Sequence, residues 1–308
     1  QLGLTGLVRA QTWNRVTSVL GLEFAHPVGL AAGLDKNADY IDPLAALGFA
    51  FIEVGTLTPK PQRGNPKPRL FRLPQERAII NRMGFNNKGI DHAVARIARR
   101  RSTVPVGVNI GKNLDTPVER AVDDYLLCYQ KCYRVADYVT INVSSPNTPD
   151  LRNLQFGEYL DGLLKAMMKE QTRLQQQHNR YVPLLVKIAP DLSGDEIDAV
   201  CKSIRSHGID GVIATNTTVS REGVSSSSHR DEAGGLSGAP LGDRATEVLA
   251  RVASNLGDLV PVVAVGGIMN AADARAKILA GAALVQIYTG FIYRGPQLIA
   301  DIVKGLDD

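Results

Sequence analysis

PLLVKIAPDLSGDEIDAVCKSIRSHGIDGVIATNT, residues 183–217, holds the fold in miniature. Residues 183–190 are apolar throughout apart from one lysine, and residues 211–217 repeat the pattern before ending in hydroxyls and an amide. A run that is apolar without alternation reads as a strand buried on both faces, as in a parallel sheet. The segment between has a helical period. Ser193 stands before Gly194-Asp195-Glu196, a cap with acids in the first turn, and His207-Gly208 supplies the stop.

The same rhythm runs along the chain. Residues 27–33 (PVGLAAG), 51–56 (FIEVGT), 104–111 (VPVGVNIG), 137–144 (DYVTINVS), 260–267 (VPVVAVGG) and 284–289 (LVQIYT) read as six further strands. Helical periods fill residues 117–135, 156–177, 243–256 and 271–280. Eight strands with intervening helices predict a (β/α)8 TIM barrel of the α/β class as a single domain. Two connections, residues 57–87 and 219–239, are too long for ordinary loops and are expected to be lids or insertions.

Bulk properties narrow the function. Of 308 residues, 44% are hydrophobic and 21% charged, enough for one large core. A net charge of +4 is far from the basic stripe of a nucleic-acid binder, so no nucleic-acid partner is expected. Three cysteines make no disulfide framework and suit a reducing compartment. Cys128 and Cys132, at i and i+4 without a nearby histidine, read as packed thiols rather than metal ligands. No stretch approaches the roughly 18 apolar residues of a membrane span.

In such a barrel the chemistry sits at the C-terminal strand ends. Those ends read Gly33-Leu34-Asp35-Lys36, Thr56, Asn109, residues 142–147, Lys187, Thr215-Asn216-Thr217, Gly266-Gly267 and Tyr288-Thr289. Amides, hydroxyls, lysines and glycines dominate. Metal hydrolases would need clustered His, Asp and Glu, and glycosidases paired carboxylates. The set instead suits a large, partly anionic ligand. Gly266-Gly267 and Tyr288-Thr289-Gly290 fall where barrels hold a phosphate on backbone N–H groups. Lys187, alone on an apolar strand, needs either an anionic ligand or a core carboxylate.

Residues 31–37 (AAGLDKN), 81–87 (NRMGFNN), 142–148 (NVSSPNT), 214–217 (ATNT) and 235–238 (GLSG) together resemble the class 2 dihydroorotate dehydrogenase family, in order and at the right strand ends. The resemblance runs from about Leu22 to the C-terminus. It implies oxidation of (S)-dihydroorotate to orotate, with FMN as hydride acceptor and a membrane quinone, ubiquinone or menaquinone, reoxidising the flavin. It also implies a catalytic base at Ser145, where serine marks class 2 and cysteine class 1, with Thr148 and Phe85 shaping the proton exit. Substrate contacts implied are Lys36, Asn81, Arg82, Met83, Gly84, Phe85, Asn142, Asn147, Asn216 and Thr217. FMN contacts implied are Ala32, Gly33, Leu34, Asp35, Lys36, Thr56, Asn109, Asn142, Lys187, Thr215, Gly238, Gly267, Tyr288 and Thr289.

Class 2 enzymes meet quinone and membrane through N-terminal helices. Residues 1–21 are expected to be a remnant of that segment, and residues 22–308 the FMN-binding barrel. Leu2, Leu4, Leu7, Val8, Trp13 and Val16 suit the tail of such helices, and equally a short cap on the barrel bottom. The family reading implies a monomer, peripheral on the cytoplasmic face of a bacterial inner membrane, or on the mitochondrial inner membrane in a eukaryote. The competing readings are another FMN barrel (a class 1 enzyme using fumarate or NAD, or a tRNA dihydrouridine synthase) and a flavin-free lyase or isomerase on a sugar phosphate with Lys187 as Schiff-base lysine. The latter leaves Asn81, Asn109, Asn142, Asn147 and Asn216 without a task.

Overall fold

A computed structural model describes residues 16–224 and 228–307. A hairpin, β1 (Thr17–Val19) and β2 (Leu22–Phe24), opens it. The chain continues through β3 (Val28–Leu30), α1 (Ile41–Ala46), β4 (Phe51–Leu57), β5 (Leu70–Leu73), β6 (Ala78–Asn81), α2 (Ile90–Ile97) and β7 (Val106–Ile110). Then come α3 (Ala121–Cys132), β8 (Tyr138–Asn142), α4 (Gly157–His178), β9 (Leu184–Ile188), α5 (Gly194–His207), β10 (Gly211–Ala214) and β11 (Gly235–Gly238). The last elements are α6 (Gly242–Leu256), β12 (Val262–Val265), α7 (Ala271–Leu279), β13 (Ala282–Ile287), α8 (Thr289–Arg294) and α9 (Gln297–Asp307).

Eight strands, β3, β4, β7, β8, β9, β10, β12 and β13, are parallel and close into a barrel in chain order. They are the eight apolar runs of the sequence, and their residues are almost all buried. Two layers account for this. Inward side chains fill the barrel, and outward ones meet the surrounding helices, whose apolar faces complete the main core. Local chemistry agrees with this placement. Ser193 and Glu196 form a reciprocal capping box at the start of α5, and Gly208 ends that helix in the left-handed region. Cys128 and Cys132 share the buried face of α3.

The two long connections, expected to be lids or insertions, carry strands that the sequence reading did not assign. Residues 70–81 form an antiparallel hairpin, and β11 adds to it as a third strand, so the two insertions make one small sheet beside the barrel mouth. Phe71, Leu73, Ala78, Ile80, Val224 and Leu236 give it a core of its own. Alternation in β5, with Phe71 and Leu73 inward and Leu70 and Arg72 outward, lies within a proline- and arginine-rich segment that hides it.

Residues 1–15 of the expected N-terminal remnant lie outside the described residues. The next residues form a strand rather than a helix tail, because Leu20 and Gly21 both take positive φ and turn the chain back on itself. That hairpin runs across the expected boundary between residues 21 and 22. Val19, Leu20 and Leu22 pack on Phe24, Phe51, Tyr138, Leu185 and Ile213, which plugs the bottom of the barrel. Among the described residues no helix is long and apolar enough to cross a membrane.

The bottom layer is packed by rings over glycines. A Cβ on Gly107 would lie 2.0–2.5 Å from three atoms of the Tyr138 phenol, which cannot withdraw because it donates to Glu53. Gly107→Ala is therefore expected to lower unfolding free energy by about 1–3 kcal/mol. Gly162→Ala, on the exposed side of α4 with nothing within 4 Å, is expected to raise it by about 0.5–1 kcal/mol. Urea unfolding of both variants checks the pair, and equal midpoints would contradict the packing described.

Candidate active site

At the C-terminal mouth of the barrel lies a cavity of about 970 Å³ including its open entrance. It has the size and mixed lining of a site for a large small-molecule ligand. Of the residues singled out in the sequence, Ala32, Gly33, Lys36, Thr56, Asn81, Met83, Gly84, Phe85, Asn142, Ser145, Asn147, Lys187, Thr215, Asn216, Thr217, Gly238, Gly267, Tyr288 and Thr289 line it. They come from segments far apart in sequence, which barrel closure and the small inserted sheet bring together.

Five residues singled out with them stand elsewhere. Asn109 is fully buried beneath the cavity floor, where Thr56 and Asn142 cover it. Leu34 packs against the main core. The Asp35 carboxyl accepts the backbone N–H groups of Asp39 and Tyr40, both at 2.9 Å, and so braces the loop that carries Lys36. Arg82 turns outward, over the ring of Phe71 at 4.6 Å and onto Glu232 at 2.6 Å, tying β6 to the segment before β11. Thr148 is buried beside the cavity rather than on its wall, and its Oγ1 has no hydrogen-bond partner.

The floor is one directed hydrogen-bond chain. Glu53, with no exposure, accepts from Asn109 Nδ2 at 2.8 Å. Asn109 Oδ1 therefore faces the mouth, and accepts from Thr56 Oγ1 at 2.5 Å and Asn142 Nδ2 at 3.1 Å. Asn142 Oδ1 accepts in turn from Asn216 Nδ2 at 3.3 Å and from the Ser144 backbone. Asn216 Oδ1 then accepts the Thr217 N–H at 2.8 Å. Each amide has one donor end and one acceptor end, so the orientation of the first sets the rest. At the other wall Asn147 Nδ2 donates to Asn81 Oδ1 at 3.3 Å, and the Asn147 N–H donates to Ser145 Oγ at 3.3 Å.

The lining residues include no carboxylate and no histidine. Their charges are two ammoniums. Burial, with Arg69 nearby, pushes Lys36 down to about 8. Burial also lowers Lys187, against the raising field of Glu53, and no ion pair forms between the two. A core carboxyl thus influences Lys187 without pairing with it, while Lys187 lines a cavity suited to an anion. Gln286 also reaches the cavity, its Nε2 on Glu53 at 2.9 Å and its Oε1 buried without a partner. Glu53 and Gln286 were open to the same sequence signal as Lys187, a polar residue in an otherwise apolar strand. Ser237, Leu241, Ile268 and Met269 also line the wall, and carry no such signal.

One end of the cavity is made of backbone. Gly267 has φ +75°, and a Cβ there would lie 2.1 Å from Gly242 Cα. A Cβ on Gly290 would lie 2.2 Å from the Ile268 carbonyl oxygen. Main chain from three loops therefore converges at a distance that side chains forbid, as a phosphate held on N–H groups requires. Partnerless Gln286 Oε1, two ammoniums and this glycine cradle match a ligand with a hydrogen-bonding ring system and a phosphate.

A family model described as dihydroorotate dehydrogenase matches residues 15–308. Dihydroorotate dehydrogenase (quinone) of Ectopseudomonas mendocina is 57% identical over 306 residues, covering 99% of this chain and 90% of that protein. The enzyme of the same description from Nitrosospira multiformis is 58% identical over 302 residues, covering 98% and 87%. Among solved structures, that of DHODH from Eimeria tenella in complex with ferulenol superposes with a TM-score of 0.91 at 40% identity, over 97% of this chain and 85% of that one. An amide-lined, carboxylate-free barrel mouth and matches along nearly the whole chain lead to one conclusion: the chain belongs to the dihydroorotate dehydrogenase family.

Proposed function

We propose that the chain oxidises (S)-dihydroorotate to orotate with FMN as cofactor and a quinone as final acceptor, Ser145 serving as the base. The observation that carries the reading is Ser145 itself, 5% exposed on the wall of a cavity that has neither a carboxylate nor a histidine in its lining. FMN, when bound, supplies a hydride acceptor at N5 of its ring system.

The residues of the chain divide the remaining work. Ala32, Gly33, Thr56, Asn142, Lys187 and Thr215 would hold the flavin ring, and Gly238, Gly267, Tyr288 and Thr289 its phosphate end. Asn109 and Asp35 act behind them, through the floor chain and the Lys36 loop. The cyclic ureide of dihydroorotate presents alternating donors and acceptors, which the amides of Asn81, Asn147 and Asn216 and the hydroxyl of Thr217 can match because they are already oriented. Lys36 supplies positive charge at the reacting centre.

Ser145 Oγ takes the proton from substrate C5 as the hydride leaves C6. A serine is a weak base, so its proton must be led away. Its Oγ is fixed by the Asn147 N–H, and Thr148 Oγ1, buried and unpartnered, is available to pass the proton on beside the Phe85 ring. The quinone-reducing relatives come from bacteria. With them, the proposed setting is a monomer on the cytoplasmic face of an inner membrane, docked through the chain preceding the barrel.

Two outcomes are expected. Anaerobic dihydroorotate should bleach flavin absorbance near 450 nm, with recovery on adding a soluble quinone but not fumarate. Recovery by fumarate alone would favour a class 1 acceptor, and a flavin that stays oxidised would contradict the substrate. Lys36 is charged below about pH 8 and neutral above it. Its positive charge is therefore lost as pH rises through about 8, and kcat/KM for the anionic substrate should fall there. Lys36→Met is expected to lower kcat/KM about 10–100-fold below pH 8 and to abolish that inflection. An unchanged inflection would assign it to another group.

A further inference from the structure

Among the described residues two buried lysines, Lys112 and Lys277, take no part in the cavity wall, and Lys277 is the one packed beside it. Lys277, on α7, is 2% exposed, and its ammonium donates to the Gly242 carbonyl oxygen at 2.9 Å and to Thr246 Oγ1 at 2.7 Å. Thr246 Oγ1 itself donates to the same carbonyl at 2.9 Å. That carbonyl therefore already has a neutral donor, and a second neutral donor would serve it as well. An ammonium is more costly to bury than a neutral donor unless an anion answers it. The carboxylates of Asp273 and Asp243 act on it through space without forming an ion pair, and burial still holds it down to about 8. Asp273 is occupied by the Met269 N–H at 2.8 Å.

Its position sharpens the question. The last turn of α7 suits a cation. The first turn of α6 does not: Gly242 opens that helix, where the exposed N–H groups already carry partial positive charge. Two positive sources thus stand together, and what lies next to them is the glycine cradle. A Cβ on Gly267 would meet Gly242 Cα at 2.1 Å and Gly242 N at 2.6 Å, so the first residue of α6 is packed directly against that cradle. An anion there would relieve both.

We propose that Lys277 is a positioning residue for the cofactor phosphate: it holds the first turn of α6 against Gly267 and supplies a buried positive charge behind the cradle without touching the phosphate. The inference rests on the FMN reading above. It predicts a selective effect, since riboflavin shares the ring system of FMN and lacks the phosphate.

The test equilibrates purified holoenzyme with an equimolar mixture of FMN and riboflavin and determines the bound flavins by chromatography. Lys277→Met is expected to lower the ratio of bound FMN to riboflavin about tenfold or more. Lys277→Gln, which keeps a donor for the Gly242 carbonyl but no charge, should do the same and covers the case in which methionine disturbs folding. Thr246→Val weakens the tie but leaves the cation, and should hold the ratio within about twofold of wild type. A ratio unchanged in both Lys277 variants, or equal loss of both flavins, would overturn the proposal and leave Lys277 as a helix tie. Wild-type protein that binds neither flavin would contradict the FMN reading, and the phosphate assignment with it.

Discussion

The carboxyl group of Glu53 lies at the centre of the barrel with no exposure, and it must be met by donors there. Asn109 Nδ2, Gln286 Nε2, Tyr138 OH and Thr140 Oγ1 meet it, from β7, β13 and β8, while Lys187 on β9 feels its field. Because the group is an acceptor, every neighbour must turn a donor toward it. Asn109 then has only its oxygen left to face the mouth, and that choice passes through Thr56 and Asn142 to Asn216. One buried polar group thereby sets the direction of amides two layers above it. The floor is polarised before any ligand arrives, which lowers the reorganisation that a hydrogen-bonding substrate would otherwise require.

The same constraint explains what the mouth lacks. A second carboxylate near Glu53 would repel it in a low-dielectric interior, so the wall is built from amides, hydroxyls and ammoniums. Under the proposed function, proton abstraction then falls to a hydroxyl, and anion binding to lysines and backbone N–H groups. Glycines at Gly267 and Gly290 follow from the second task, since side chains there would collide with neighbouring main chain.

Much of this was legible in the chain. The eight barrel strands stand out because burial on both faces makes their sequences apolar without a break, and their polar ends mark the mouth. Strands β5 and β6 were hidden, because half of β5 faces solvent, β6 is only four residues long, and prolines and arginines stand around them. Strand β11, GLSG, has no strand propensity and is held by pairing with β6 and by a bridge from Leu236 to Thr218. Asp35 and Arg82 lie next to lining residues in sequence, yet loop geometry turns them outside the cavity, while Asn109, at a strand end that looked like the others, sits beneath its floor. Glu53 was visible as a lone acid in FIEVGT, but its reach depends on contacts from three other strands, which no local pattern records.

The central claim is that Ser145 removes the substrate proton in a site whose other groups only bind and orient. Anaerobic stopped-flow reduction of the flavin by dihydroorotate in Ser145→Ala, with bound FMN measured in the same samples, tests it most directly. The account predicts normal FMN content and a reduction rate lower by about 10²–10⁴-fold. A rate within tenfold of wild type, with FMN fully bound, would contradict it and place the base elsewhere.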